Sequence, residues 1–574
     1  MLRKLAMVAA LCCIAAVVLL RFLPAAHQGD LVDHDGDCRR GAAPPTWQHL
    51  NQGWSPLEEW EFWYTSQGSQ MISYDWFLAL DQPEHPIPFA APEYLAELGF
   101  VAAPRGRCNP DALPLGFALD ASTGQLGLSC AACHTRLIRT AGREILVNGA
   151  PAEIHFNRFV TRLAEALEHT LDDPKKWARF TQRLHSRAAA PQDSAALRTD
   201  VAEAARRLRQ FQHFVSAGAT DDGEFAGYGR VDAFGAIFNR VAVAALDLPG
   251  NYQPADAPVN YPFLWGAAQL DITQWNGSAP NRVPFGPLAR NLGEAIGLFG
   301  GVTLTSEGEP GFHSPVKIVN LHKLEELTQK LRPPSWNEAR LPPLDPAMVA
   351  QGYKIYTSEC RKCHILPFDK YPVAPPHPIY SRDCLLCHAE ARVVSLDTVG
   401  TDALAARNYM DREADTGTLN GRRRWLLFGE PYAARAPTHD LVITAIVGVI
   451  LDDRLGSLTA PDLPALLNGR PSADVAGYKA RPLSGIWATA PYLHNGSVPT
   501  IADLLEPPEQ RPVDFRMGPL EFDTKRIGLS SNSSRLPTTY FDTRLPGNSN
   551  AGHRFGTELG AGDKRALLEF LKTL

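Results

Sequence analysis

Apolar positions recur every three and four residues over two long stretches, 156–180 and 194–215, interleaved with Arg and Glu. That spacing predicts amphipathic helices. In the second stretch Leu197, Val201, Ala204, Leu208, Phe211 and Val215 form one stripe, so the pair reads as a helix hairpin. Shorter helical patterns are expected at 321–331, at 346–356 behind the cap Asp345-Pro346, near 404–412 and 440–451, and at 563–574. Alternating strand patterns of any length are few, so the expected fold class is mainly α. The helical stretches are separated by segments dense in aromatics and breakers. Residues 30–125 carry Trp54, Trp60, Trp63, Tyr64, Trp76 and Phe77, and 229–301 carry Phe234, Phe238, Tyr261, Phe263, Trp265, Trp275 and Phe299. Aromatics at this density suit core or interface packing. Five prolines between Leu366 and Tyr380 mark a loop.

Composition narrows the class without deciding it. At 574 residues the chain is too long for one small core, and two to four domains are expected. Charged residues at 21% and hydrophobic ones at 45% are ordinary for a folded protein, and a net charge of −6 argues against nucleic acid as a partner. Arg3 and Lys4 precede an apolar run over 5–20, followed by Pro24-Ala25-Ala26. This reads as a secretory signal or, if uncleaved, an anchor in the inner membrane, so the body is expected to be periplasmic or exported.

Cysteine usage then supplies the chemistry. Six of the ten cysteines fall in three copies of one pattern: Cys130-Ala131-Ala132-Cys133-His134, Cys360-Arg361-Lys362-Cys363-His364 and Cys384-Leu385-Leu386-Cys387-His388. Two thiols three apart followed by histidine form the attachment signature of c-type haem. Each thiol adds to one haem vinyl group, and the imidazole becomes the proximal ligand of the iron. A four-thiolate zinc knuckle from the second and third pairs is the competing reading, but it leaves unexplained the histidine after every pair. Haem c is therefore the expected cofactor, two from the first two motifs and a third from the last. Cys12 and Cys13 lie in the apolar run. Cys38 and Cys108 remain as a plausible disulfide.

The sixth position of each iron separates electron transfer from chemistry. His553 lies in a glycine-rich loop, Gly547 to Gly556, which can bring a side chain close over a flat cofactor. It is the expected sixth ligand of the second haem. His494, in a Pro-Tyr-Leu-His-Asn-Gly turn, and Met517 are the alternatives, and His377 in the proline-rich loop is the candidate for the third haem. No residue of similar quality serves the first haem; His155 is near in sequence but sits on a predicted helix. That absence fits an open site for peroxide or oxygen.

These segments resemble the bacterial di-haem cytochrome c peroxidase superfamily, nearest the branch of the rubber oxygenases and related exported di-haem proteins. The resemblance rests on Gln67-Gly68-Ser69-Gln70 with Trp76-Phe77, Leu128 to His134, Val147-Asn148-Gly149-Ala150-Pro151-Ala152, Arg230 to Phe234, Gln274-Trp275-Asn276-Gly277, Arg290 to Glu294, Gly352 to His364, Ala490 to Thr500 and Gly547 to Gly556. It spans about residue 45 to the end. It implies two cytochrome c-like haem domains with extensive loops and helical insertions: an N-terminal domain with the reactive haem (27–308, after a leader at 1–26), a connection (309–345) and a C-terminal domain with the electron-transfer haem (346–574). It further implies Trp265 and Trp275 beside the reactive pocket or between haems, and Glu294 as a proton-handling acid. The third motif departs from the two-haem pattern and would lie in an inserted loop. The activity so implied is peroxide reduction or activation, with electrons from a donor such as a small cytochrome or cupredoxin. An oxygenase cleaving a hydrophobic substrate and a pure electron carrier are the alternatives.

Overall fold

The computed structural model describes residues 45–574 together with 39, 41 and 42, apart from 188–193, 219–220, 282–285, 305–310, 366–390, 425, 427–428, 453–475 and 532–536. The N-terminal leader, Cys38, His377 and the third motif (Cys384, Cys387, His388) lie outside the described residues. Cys108 is disulfide-bonded. Among the described residues no helix is long and apolar enough to cross a membrane.

Helix outweighs strand, and the sheets are small, with two or three strands each. The chain enters through helix Pro56–Tyr64. Ser55 and Glu58 form its reciprocal capping box, Pro56 starts it, and its last five residues, Trp60 to Tyr64, are buried. The aromatic block of the sequence is thus core. Strands Ile72–Ser73, Phe117–Asp120 and Gln125–Leu128 form a three-stranded sheet that leads straight into Cys130.

The stretch expected as one helix over 156–180 is two, Phe156–Asp172 and Pro174–Arg187. The break follows from Pro174: the residue before a proline is pushed out of the helical region, and Asp173 sits at φ −99, ψ 112. Helix Ser194–Val215 packs against the first of these. Every residue of its predicted stripe is buried, in a core shared with Phe77, Phe89, Phe100 and Phe159. Each such side chain contributes roughly 1.5–3 kcal/mol on leaving water.

The segment expected as a connection is built into the N-terminal half. Helix Ile318–Lys330 buries Ile318, Leu321, Leu324 and Leu327 in the core that holds Trp60 and Trp63. Trp54 Nε1 donates to Leu327 O at 2.7 Å, and Asn320 Nδ2 to Ser66 O at 2.7 Å. Residues of the C-terminal half join the same core. Helix Thr438–Asp452 packs Leu441, Ala445 and Val449 with Leu292, Ala295 and Ile296.

Farther along, helix Pro346–Glu359 carries the second Cys-x-x-Cys-His motif at its end and crosses the last helix, Ala561–Leu571. The crossing is close because position 352 is glycine: a Cβ there would lie 2.0 Å from Ala566 O. Gly352→Ala is expected to destabilise the protein by about 1–3 kcal/mol through this overpacking. A denaturant melt at matched haem content measures the loss, and an unchanged midpoint would refute the close crossing.

Candidate functional site

The first motif is fixed from several directions. Ser129 Oγ accepts from Ala131 N–H at 3.3 Å and donates to Trp63 O at 2.8 Å, so the aromatic helix and the motif move as one. Gly116, at φ +88, lets its strand press on the motif, since a Cβ there would meet Ala132 N at 2.2 Å. The Val147 to Ala152 turn supplies the rest. Gly149 N–H donates to His134 O at 2.7 Å and Ala152 N–H to Cys133 O at 3.0 Å. His134 Nδ1 lies 2.8 Å from Pro262 O. A carbonyl only accepts, so Nδ1 carries the proton and Nε2 is the open nitrogen, as a metal ligand requires.

Cys130, Cys133 and His134 line a cavity of about 200 Å³. Phe156, Phe211, Val215, Ile237 and Leu298 give it an apolar wall, and Gln274, Arg290 and Glu294 give it a polar one. Of the lining residues, His134 is the only imidazole and none is methionine. Helix Gly286–Ala295 and the π-helical turn Ile296–Gly300 bring Glu294 and Leu298 there. Glu294 is open toward the cavity while protein surrounds its other sides, and Gln274 Nε2 donates to its Oε1 at 2.7 Å. Burial pushes its carboxyl above the ordinary range. Arg290 ion-pairs with Glu325 and donates to Asn281 Oδ1 at 2.7 Å.

The second motif is built on its own helix. Cys360 N–H and His364 N–H bond back to Tyr356 O and Cys360 O, and Tyr356 Oη donates to His364 O at 2.6 Å. His364 Nδ1 donates to Arg481 O at 2.8 Å, again leaving Nε2 open. Cys360, Cys363, His364, His494 and His553 line a second cavity, also of about 200 Å³. The rings of His364 and His553 have centroids 6.3 Å apart. A metal–imidazole bond of about 2.0 Å plus roughly 1.1 Å from nitrogen to centroid, taken twice, gives about 6.2 Å. The spacing fits one metal ion held by both rings. His553 itself stands at φ +44, in the left-handed region that non-glycine residues seldom adopt.

Arg511 maintains that conformation. It is buried, and its guanidinium donates to Leu504 O, Asn550 O, Gly552 O and His553 O at 2.6–3.2 Å. Asn495 Nδ2 ties down the start of the same loop through Gly547 O and Ser549 O, both at 3.0 Å. Burial lowers His134 to about 4 and both His494 and His553 to about 3, which keeps the rings in the neutral form that binds metals.

The cavities share a wall made of Asn260, Tyr261, Phe263, Trp275, Lys479 and Arg481. Trp275 Nε1 donates to Asn260 O at 2.8 Å, and Lys479 N–H donates to Trp275 O at 2.7 Å. Trp275 therefore stands where the resemblance puts a bridging aromatic. Trp265 does not: it lines neither cavity, stacks behind Phe263 at 5.0 Å and donates to Ser484 O at 2.7 Å. Met517 is packed with Tyr228 and Phe541 and lines neither cavity, so the thioether alternative falls away. His494 stacks on Tyr478 at 3.7 Å in the wall of the second cavity. His155 caps helix Phe156–Asp172 and faces Glu224 at 3.4 Å, away from both cavities.

Lys479, Arg481 and Arg511 have no counterpart in the sequence reading. The available signal was alternation in Tyr478-Lys479-Ala480-Arg481, a pattern that ordinarily puts the charges in water.

Residues 477–516 match the family described as RoxA-like, cytochrome c-like. The match covers the shared-wall strand, His494 and Arg511. The chain is also 29% identical over 591 aligned residues to an uncharacterised protein of Sinorhizobium fredii, y4iJ, covering 92% of this chain and 93% of that one. A second uncharacterised protein of the same organism, y4iM, is 25% identical over 300 residues, 51% of this chain and 56% of its own.

Glu294 gives a test of this geometry. Its carboxyl is raised, so the folded state binds the proton more tightly than the unfolded one. The folded protein is then favoured below the carboxylate range and loses that advantage as pH rises through it. Glu294→Gln should match the parent melting temperature in acid and exceed it increasingly toward neutral pH; a pH-independent difference would contradict the raised carboxyl. The chain thus carries a RoxA-like, cytochrome c-like segment, which implies haem c binding and haem-based redox chemistry.

Proposed function

We propose that the chain is an exported c-type haem oxidoreductase with a reactive centre at His134 and an electron-transfer centre between His364 and His553. It reduces or activates peroxide with electrons from a small cytochrome or cupredoxin. One observation carries the reading: the first cavity offers one imidazole, the second offers a facing pair. Haem c, if attached through each cysteine pair, would supply a redox-active iron; Cys130, Cys133 and His134 would hold it in the first cavity, and Cys360, Cys363, His364 and His553 in the second.

The protein's own groups do the rest. Phe156, Phe211, Val215 and Leu298 exclude water from the reactive cavity. Gln274 occupies Glu294 Oε1, so Oε2 is the atom that holds and moves the proton. Burial raises that carboxyl toward working pH, which suits a general acid that protonates the leaving oxygen as the O–O bond opens. Pro262 O and Arg481 O hold the imidazoles in one tautomer. Trp275, in the wall between the cavities, stands on the route an electron takes.

The RoxA-like match and the apolar wall favour a second reading, an oxygenase that cleaves a hydrophobic substrate and needs neither peroxide nor donor. Absorption and EPR spectra of the purified protein, before and after peroxide, separate these. A high-spin ferric signal consumed by peroxide supports the peroxidase. A stable oxygen complex indifferent to peroxide supports the oxygenase, and entirely low-spin iron in all redox states would leave only an electron carrier. In the same assay His553→Ala should convert the second centre from low to high spin and leave the first unchanged. Glu294→Gln should slow peroxide turnover by about 10²-fold or more, the range expected for loss of a general acid; a turnover within twofold of the parent would remove Glu294 from the reaction.

A further inference from the structure

Among the described residues, the wall between the cavities holds a lysine with no carboxylate in ion-pair reach; Asp271 acts on it only from farther off, and burial pulls its ammonium well below the usual lysine range. Lys479 lines both cavities and is 8 % exposed. Its ammonium has three N–H donors. One reaches Ile272 O at 3.2 Å, and among the described residues no carboxylate pairs with it. Arg290 in the same cavity, by contrast, has Glu325. Arg481 lies two residues beyond Lys479 and so on the same side of an extended strand. It also lines both cavities, with its guanidinium carbon 3.5 Å from the Phe263 ring centroid.

Buried charges are retained where something pairs with them. Both cavities present the cysteine pair and histidine that fit haem, and haem carries two carboxylate side chains in addition to the vinyls that the thiols consume. We propose that Lys479 is a shared anchor for haem propionates: its Nζ donates to a propionate of each of the two haems, with Arg481 as the second cation of the site. The two haems then turn their propionate edges toward the same wall, beside Trp275. The inference rests on both cavities holding haem, and not on which reaction the first one performs.

A cation beside a propionate offsets its negative charge, which otherwise favours the ferric state. Removing that cation lowers the reduction potential of every haem that shares it. Lys479→Met and Lys479→Arg, in the full chain with haem attached, are titrated by spectroelectrochemistry beside the parent, with haem counted as the pyridine haemochrome. In Lys479→Met both midpoint potentials should fall; at fixed poise the ferric-to-ferrous ratio of each centre should rise about tenfold, or about 59 mV for one electron. Lys479→Arg keeps the charge and should titrate close to the parent.

A Lys479→Met protein in which either centre keeps the parent potential overturns the shared anchor. So does a Lys479→Arg protein that falls as far as the methionine variant. Should Lys479→Met accumulate without haem, Arg481→Met gives the second reading: a fall at both centres supports the site, and parent values overturn it. Peroxide plays no part in this readout. A parent protein inert to peroxide would defeat the proposed reaction and leave this assignment standing.

Discussion

Two hydrogen bonds from imidazole to backbone organise this molecule, His134 to Pro262 O and His364 to Arg481 O. Each fixes a tautomer, and each ties a Cys-x-x-Cys-His motif to a segment far away in the sequence. Arg481 belongs to the wall that the cavities share, and Pro262 sits between two other residues of it, Tyr261 and Phe263. Phe263, bonded to Pro262, is covered by the guanidinium of Arg481. The two candidate haem sites are thus opposite faces of one small piece of structure. A displacement of that piece alters both imidazoles together.

Around this wall the protein keeps its polar groups with unusual economy. Arg511 is spent on backbone carbonyl oxygens, those of Leu504 and Glu506 on one side and of Asn550, Gly552 and His553 in the loop that aims His553 on the other, and among the described residues it makes no ion pair. Its removal from water lowers its basicity to about 10, in the direction expected for a guanidinium losing solvation. What it secures is a histidine at positive φ, a conformation an unsupported loop would abandon. The second cavity's His553 is therefore held by contacts to backbone more than by contacts between side chains. The first cavity, by contrast, is lined by aromatics from two helices, Phe156 and Phe211, and by Glu294 and Leu298 around the kinked segment Ile296–Gly300.

Much of this was legible in the sequence, for particular reasons. The stripe on 194–215 was read correctly because helical periodicity on an amphipathic surface is a strong signal. The two described Cys-x-x-Cys-His motifs could be picked out because their spacing is fixed, and the structure sets each of them in the wall of a cavity. Asp173-Pro174 broke a helix that periodicity alone ran through, and the proline was there to be read. The role of helix Ile318–Lys330 was harder: flanking prolines resemble a linker, and only packing shows that its apolar face belongs to the N-terminal core. Trp265 and Trp275 could not be told apart in sequence, ten residues from each other in the same aromatic segment. One backs the wall and the other is in it. Lys479 and Arg481 were invisible because charged residues at alternate positions ordinarily face water, and here that face is the inside.

The shared wall also constrains how the protein can be made. The thiols of Cys130 and Cys133 open toward a cavity whose far wall includes Lys479 and Arg481 and whose outer shell includes helix Thr438–Asp452. During synthesis the first motif emerges long before those segments. A prosthetic group joined covalently to the first motif must be fitted while that side is still open chain. The later segments then fold down over it and complete the second pocket in the same movement. Biogenesis is accordingly ordered from the amino terminus, and the C-terminal half acts as the closing piece for a chamber begun by the N-terminal half.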